Sequence, residues 1–237
     1  MEVWIIKKQT DIINDMLKGF FASNKIVILI SVVTLAIIIG GVFLFTKTPS
    51  QSTPQKVDNR LLIESDSQKI GSPSAQVTLV EFGDYQCPAC GDYHPMVKQL
   101  LSDFNGKINF IFRNFPLSQH PNAKISSYAA EAAGLQGKFE EMHNKIYETQ
   151  NDWANSSDAK SIFIGYAKDL GLDVDKFTKD LDSDTIKQKI DRDTNDGLTL
   201  KINETPTFYL DGIKQVLTGR YDDLKKAVED ELSKTSK

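Results

Sequence analysis

The apolar positions change period several times along the chain. Near the start, Ile12, Ile13, Met16, Leu17, Phe20 and Phe21 recur at helical spacing, with Asp11, Asp15 and Lys18 between them. That pattern predicts either an amphipathic helix lying flat in a cytoplasmic interface or a short frayed tail. Ile26 to Phe45 is then twenty residues without a charge, IVILISVVTLAIIIGGVFLF. As a helix it would reach about 30 Å, the hydrocarbon thickness of a bilayer. It is longer than a signal h-region, and it ends in bulky residues rather than a small-x-small cleavage site, so it reads as a retained transmembrane anchor over 25–46. A spacer rich in Thr, Ser, Pro and Gln follows, and the linker 47–70 is expected to end at the turn cluster Gly71-Ser72-Pro73-Ser74.

Beyond that turn the period shortens to that of a strand. Val77 to Phe82 is a run rich in β-branched residues that ends at Gly83, and it predicts a buried strand. Pro88 suits a first helical position, and Met96, Val97, Leu100, Leu101 and Phe104 form an apolar stripe up to the stop at Asn105-Gly106. Ile108 to Phe112 predicts a second strand, and strand, helix, strand at this spacing implies a parallel pair with the helix across it. From about 119 to 200 the chain reads as successive short helices: Ala123 to Leu135, Phe139 to Tyr147, Ile162 to Leu170, Val174 to Leu181, and one from about Thr185. Thr207 to Leu210, the turn Asp211-Gly212 and Lys214 to Leu217 then predict a hairpin, with a last helix from about Asp222.

Composition changes this picture little. The net charge of −4 gives no electrostatic case for nucleic acid. The basic residues Lys7, Lys8, Lys18 and Lys25 before the apolar span, against Lys47, Lys56 and Arg60 after it, favour an inside N-terminus. The expectation is therefore a single-pass cell-membrane protein, with segment 1–24 cytoplasmic and the rest extracytoplasmic.

The two cysteines of the chain stand together in Cys87-Pro88-Ala89-Cys90. Half a zinc site would need two more ligands at short spacing, and there is no third cysteine, while His94, His120 and His143 form no close-spaced pair. A static staple closing so small a loop would stabilise the fold little. The economical reading is dithiol/disulfide chemistry without metal or cofactor. Glu81, on an otherwise apolar strand, is either an outward, solvated residue or a buried acid. Both parities of that strand are largely apolar, which favours burial and a raised pKa.

Three segments taken together, Val80 to Cys90, Gln136 to His143 and Glu204-Thr205-Pro206-Thr207-Phe208, resemble the DsbA-like branch of the thioredoxin superfamily, which includes membrane-anchored, BdbD-like proteins. The resemblance implies an α/β thioredoxin fold over 71–237 with an inserted all-helical subdomain, here preceded by one transmembrane helix. It implies Cys87 as the attacking sulfur, Cys90 as the resolving one, Glu81 as a proton carrier for the inner thiol, and Pro206 as a cis-proline facing the pair. Tyr85, Pro88, Ala89 and Thr205 are expected to meet substrate. Physically, a cysteine at a helix N-cap lies near unpaired N–H groups and the positive end of the dipole, which favours thiolate. His94, His120 and His143 are expected to pack rather than react.

The function implied is a thiol:disulfide oxidoreductase acting on unfolded or partly folded exported proteins and reoxidised by a DsbB-like or VKOR-like membrane partner, with the lipid bilayer contacted through the anchor. Strongly oxidising members often carry His where this chain has Ala89, and Thr before the cis-proline also occurs in reductive relatives. An oxidase is the favoured direction, a reductase or isomerase the alternative, and a metal-binding or chaperone-like tethered module a more distant one.

Overall fold

The computed structural model describes residues 2–24, 29–30, 33–37, 56–72 and 74–235. The chain divides into two units, Met1–Thr53 and Pro54–Lys237. In the first, helix α1 spans Glu2–Ser23, and Ile12, Ile13, Met16, Leu17 and Phe20 on it are all exposed. The span expected at 25–46 lies mostly outside the described residues; within it, 29–30 and 33–37 are helical. Among the described residues, no helix is long and apolar enough to cross a membrane.

The second unit is built on a five-stranded sheet in the order β1-β3-β2-β4-β5, formed by β1 (Gln68–Gly71), β2 (Val77–Gly83), β3 (Ile108–Asn114), β4 (Thr207–Leu210) and β5 (Ile213–Lys214). Only β2 and β3 are parallel, and helix α2 (Pro88–Asp103) joins them. This is the crossover that two parallel strands require. Strands β1 and β4 flank that pair antiparallel. Because β2 is central and covered on both faces, its residues are apolar at either parity. Val77 and Leu79 pack into the larger core cluster, with Phe110, Phe112 and Phe208, whereas Val80 and Phe82 face the smaller one, with Ile111, Phe115 and Tyr209. By parity Glu81 belongs to the larger face, opposite Phe112 on β3 and Phe208 on β4.

Folded structure begins earlier than the expected entrance at Gly71. A 3-10 turn, Asn59–Leu61, is capped by Asp58, Leu62 is 1% exposed, and the Val57 N–H donates to the Gly212 carbonyl at 2.9 Å. Strand β1 then adds to the sheet. The linker expected through residue 70 is thus corrected, because Leu62 and Ile70 supply apolar side chains that the sheet buries. Gly71 closes β1 at φ +104, where a Cβ would stand 2.5 Å from the Ile108 carbonyl oxygen, so only glycine fits the approach.

Between β3 and β4 come α3 (Ala123–Gly134), α4 (Phe139–Glu148), α5 (Gln150–Trp153), α6 (Ala159–Asp169), α7 (Val174–Leu181) and α8 (Asp184–Thr199). The unit ends with α9 (Tyr221–Thr235), whose Leu224 and Val228 join the larger cluster. The inserted helices bury Trp153, Phe163 and Phe177 completely, each contributing roughly 1.5–3 kcal/mol of transfer free energy.

A buried polar clamp fixes them to the sheet. Arg113 of β3, 0% exposed, donates to Asp193 at 2.8 Å and to Asp196 at 2.6 Å, both on α8. Glu131 of α3 accepts from Asn114 at 2.8 Å, Lys189 at 2.9 Å and Gln68 at 2.8 Å.

Candidate active site

The site grows from the end of β2. Past Gly83 the chain turns: Asp84 Oδ1 accepts the Gln86 N–H at 2.8 Å, and the Asp84 carbonyl accepts the Cys87 N–H at 3.0 Å. Cys87 is extended (φ −68°, ψ 123°) and occupies the N-cap of α2, with Pro88 next. Proline is well placed there, because an N–H at that position would have no partner within the helix.

The Cys87 sulfur therefore lies over the first free amides of α2. Its pKa falls to about 5: the Cys90 thiol donates to it most strongly, Thr205 and the N–H groups of Cys90 and Ala89 add to that, and partial burial opposes them. The thiol also lies 3.3 Å from the Thr205 carbonyl oxygen. Cys90 is 0% exposed, and burial pushes its thiol well above the usual range. Both cysteines are free thiols. The pair is asymmetric by construction, with one sulfur held as thiolate and the other as thiol.

Glu81 is buried behind them, 3% exposed, with no hydrogen-bond partner for Oε1. Burial, reinforced by the Cys87 charge, raises its pKa to about 8, so it holds a proton at neutral pH. The Thr205–Pro206 bond is cis, and the Thr205 carbonyl faces the Cys87 thiol. Pro88 and Ala89 are on the rim, Ala89 exposed; Pro206 is half-buried, and Thr205 is buried.

Tyr85 departs from expectation. It is 0% exposed, its hydroxyl pairs with His143 Nδ1 at 2.9 Å, and its ring lies 4.8 Å from both Phe112 and Tyr147. It cannot reach a substrate; the turn after β2 directs it into the larger core, where apolar burial outweighs exposure of its hydroxyl. His94 and His143 are buried beside it, and desolvation lowers the His94 pKa to about 4.

Several residues that sequence reasoning passed over shape the site. Gln150 of α5 donates from Nε2 to the carbonyls of Tyr85 at 2.7 Å and Cys87 at 2.9 Å, tying the insertion to the cysteine loop. Asp84, wholly buried, accepts from His120 Nδ1 at 2.7 Å and from the Leu117 N–H at 2.9 Å. A carboxamide reaching a carbonyl more than sixty residues away leaves no local signal. The acid in Gly83-Asp84-Tyr85 is visible in the sequence, but nothing in its spacing names the partner. Beside Pro206 runs a groove of 260 Å³ lined by Tyr93, Phe208, Val216 and Leu217 among others.

Comparison with known proteins agrees with this geometry. A family model described as thioredoxin matches residues 64–230. Among curated proteins, the chain is 35% identical over 158 residues to a protein from Salinispora arenicola named Na(+)/H(+) antiporter NhaA 1, covering 66% of this chain and 23% of that protein. It is 33% identical over 152 residues to Na(+)/H(+) antiporter NhaA of Herminiimonas arsenicoxydans, covering 64% of this chain and 23% of the relative. The chain thus spans about a quarter of the length of the curated relatives it matches.

Among solved structures, oxidised BdbD from Bacillus subtilis is 24% identical with a TM-score of 0.65, covering 77% of this chain and 98% of that one. Wolbachia pipientis α-DsbA1 is 21% identical with a TM-score of 0.66, covering 76% and 98%. These likenesses establish the fold. The expected single-pass placement with an inside N-terminus does not stand: no described helix can cross a membrane, and the curated relatives are named as antiporters.

Proposed function

This chain belongs to the thioredoxin family and has the fold of DsbA-like proteins; from that premise we propose that it is a thiol:disulfide oxidoreductase working as an oxidase, giving its Cys87–Cys90 disulfide to exported polypeptides. The observation that carries this direction is the asymmetry of the pair. Cys87, at the N-cap of α2 with the Cys90 thiol and the N–H groups of Cys90 and Ala89 donating to its sulfur, is stabilised as thiolate to a pKa of about 5. A stabilised thiolate is a good leaving group, and it stabilises the reduced enzyme, which makes the disulfide an oxidant. Ala89, which argues for a weaker one, is offset by donors that belong to the backbone and to Cys90 rather than to the side chains between the cysteines.

A substrate thiolate attacks the Cys87 sulfur, forming a mixed disulfide and breaking the Cys87–Cys90 bond. Cys90 leaves as thiolate and takes the proton held on buried Glu81. A second substrate thiolate then attacks the substrate sulfur of the mixed disulfide and expels Cys87 as thiolate. Two electrons pass from the substrate dithiol to the enzyme, and a membrane electron acceptor removes them to restore the disulfide. Exported polypeptides are the fitting substrates, because disulfides persist outside the reducing cytosol. Pro88, Ala89 and the Pro206 groove supply the docking rim.

Cys90→Ser tests the reaction. The variant should accumulate exported proteins disulfide-linked to Cys87, and in cells the wild-type pair should be predominantly oxidised; a predominantly dithiol pair overturns the oxidase direction.

A further inference from the structure

On the side of Cys87-Pro88 facing the inserted helices lies a second groove, of about 740 Å³ against 260 Å³ for the one at Pro206. Gln86 and Pro88 form its edge, so it is continuous with the nucleophile's rim. Six carboxamides line it, those of Gln86, Gln119, Asn122, Gln150, Asn151 and Asn155, together with two serines and the His120 imidazole. Among the described residues it has no acidic, lysine or arginine side chain in its wall, although a quarter of the chain is charged.

The carboxamides divide into two sets. Gln86, Asn122 and Gln150 are committed: Gln86 bridges the Asn122 N–H and the Ala154 carbonyl, both at 2.6 Å; Asn122 donates to the carbonyls of Trp153, Ala154 and Ser156; and Gln150 holds the cysteine loop. They fix the shape of the groove. Gln119, Asn151 and Asn155 are exposed, and their side chains make no hydrogen bond among the described residues. They have donors and acceptors to offer.

We propose that this groove is a second arm of the substrate site, taking an extended, uncharged polar stretch of the polypeptide that flanks the reacting cysteine. The proposal rests on the thiol:disulfide exchange reading of the same site. Each carboxamide both donates and accepts, so the wall matches peptide N–H and C=O groups and Ser, Thr, Asn or Gln side chains in either chain direction. A charged side chain entering it surrenders hydration with no counter-charge to meet it. The Pro206 groove differs in chemistry, with Glu204 and Lys214 in its wall beside Tyr93, Phe208, Val216 and Leu217. Together the two arms suit a chain whose uncharged polar segment lies on one side of its cysteine and whose apolar or charged residues lie on the other.

The test uses the full chain with its disulfide formed, reduced by cysteine peptides of equal length flanked by Ser and Asn, by Glu, or by Lys. Rates are compared per peptide thiolate, following loss of the Cys87–Cys90 disulfide by alkylation and mass. The Ser/Asn peptide should react about tenfold faster than either charged one, the effect of one to two hydrogen bonds. Replacing the three uncommitted carboxamides together (Gln119→Ala, Asn151→Ala, Asn155→Ala) should bring the ratios within about twofold. Asn151→Asp with Asn155→Asp should instead make the Lys peptide the fastest, a gain that only a folded protein gives. Equal wild-type rates with all three peptides, or ratios unmoved by both sets of variants, overturn the groove assignment. A disulfide that exchanges with no peptide thiol overturns the underlying reading instead.

Discussion

Two buried polar regions lie on the same sheet and behave in opposite ways. In the clamp around Arg113 nearly every charge meets a partner: Arg113 with Asp193 and Asp196, Lys189 with Glu131, and Gln68 with Glu131. Behind Cys90 several polar atoms stand alone, with Glu81 Oε1, Tyr147 Oη and His94 Nε2 all buried without partners. In the clamp, burial pushes the Glu131 pKa up while Lys189 and Gln68 pull it back, and Lys189 is raised so that it keeps its charge. Behind Cys90 nothing opposes desolvation strongly enough to hold a charge, so Glu81 rises to about 8 and His94 falls to about 4, leaving both neutral at pH 7. Paired burial fixes a geometry; unpaired burial moves a protonation state.

The largest effect that would break this contrast is expected at the clamp. Arg113→Met leaves the wholly buried Asp193 without its main partner and should cost about 3–5 kcal/mol in urea unfolding, with the alkylation pH profile of Cys87 unchanged. A loss below about 1 kcal/mol would place the clamp's contribution elsewhere.

At the second region, Glu81→Gln should act on pH dependence. The folded value of about 8 lies above the ordinary 4.5. Between those limits the unfolded chain releases its proton first, so the wild type loses stability as pH rises, with no further loss above about 8. The variant should lack that slope. It should gain on the wild type by a few kcal/mol across this range, because each pH unit between the unfolded and folded values carries about 1.4 kcal/mol. Release of Cys90 in single-turnover exchange should slow by roughly a hundredfold. Parallel stability curves for the two proteins would show that Glu81 is not desolvated in solution.

The smallest change, Tyr147→Phe, removes a hydroxyl that has no partner. Stability should stay within about 0.5 kcal/mol or rise by up to about 1 kcal/mol. A clear loss in thermal unfolding would reveal a hidden partner and bring this region closer to the clamp.

Much of the site is legible in the sequence because it is local. Cys87, Pro88 and Cys90 sit within one helical turn, and the position of Pro88 dictates where α2 starts. The burial of Glu81 follows from the two apolar parities of β2, which only a central strand displays. Tyr85 is not legible in this way, since a residue two before the nucleophile can face outward or inward with equal ease along the chain, and only the packed rings of Phe112 and Tyr147 decide it. The extent of the linker escapes for a similar reason: Gln68 to Ile70 becomes a strand only because β3 offers it an edge.

By itself the sequence determined the periods, the helix start, the paired thiols and the buried acid, because each depends on neighbours a few residues away. Tertiary structure alone decided what the sulfur meets. The Thr205 carbonyl is 118 residues from Cys87 in the chain and 3.3 Å from its sulfur, and Gln150 reaches the Cys87 carbonyl from 63 residues away. Such contacts carry no spacing rule, since loop closure costs little more for about a hundred residues than for about fifty, and only the packed core selects which distant pair will touch.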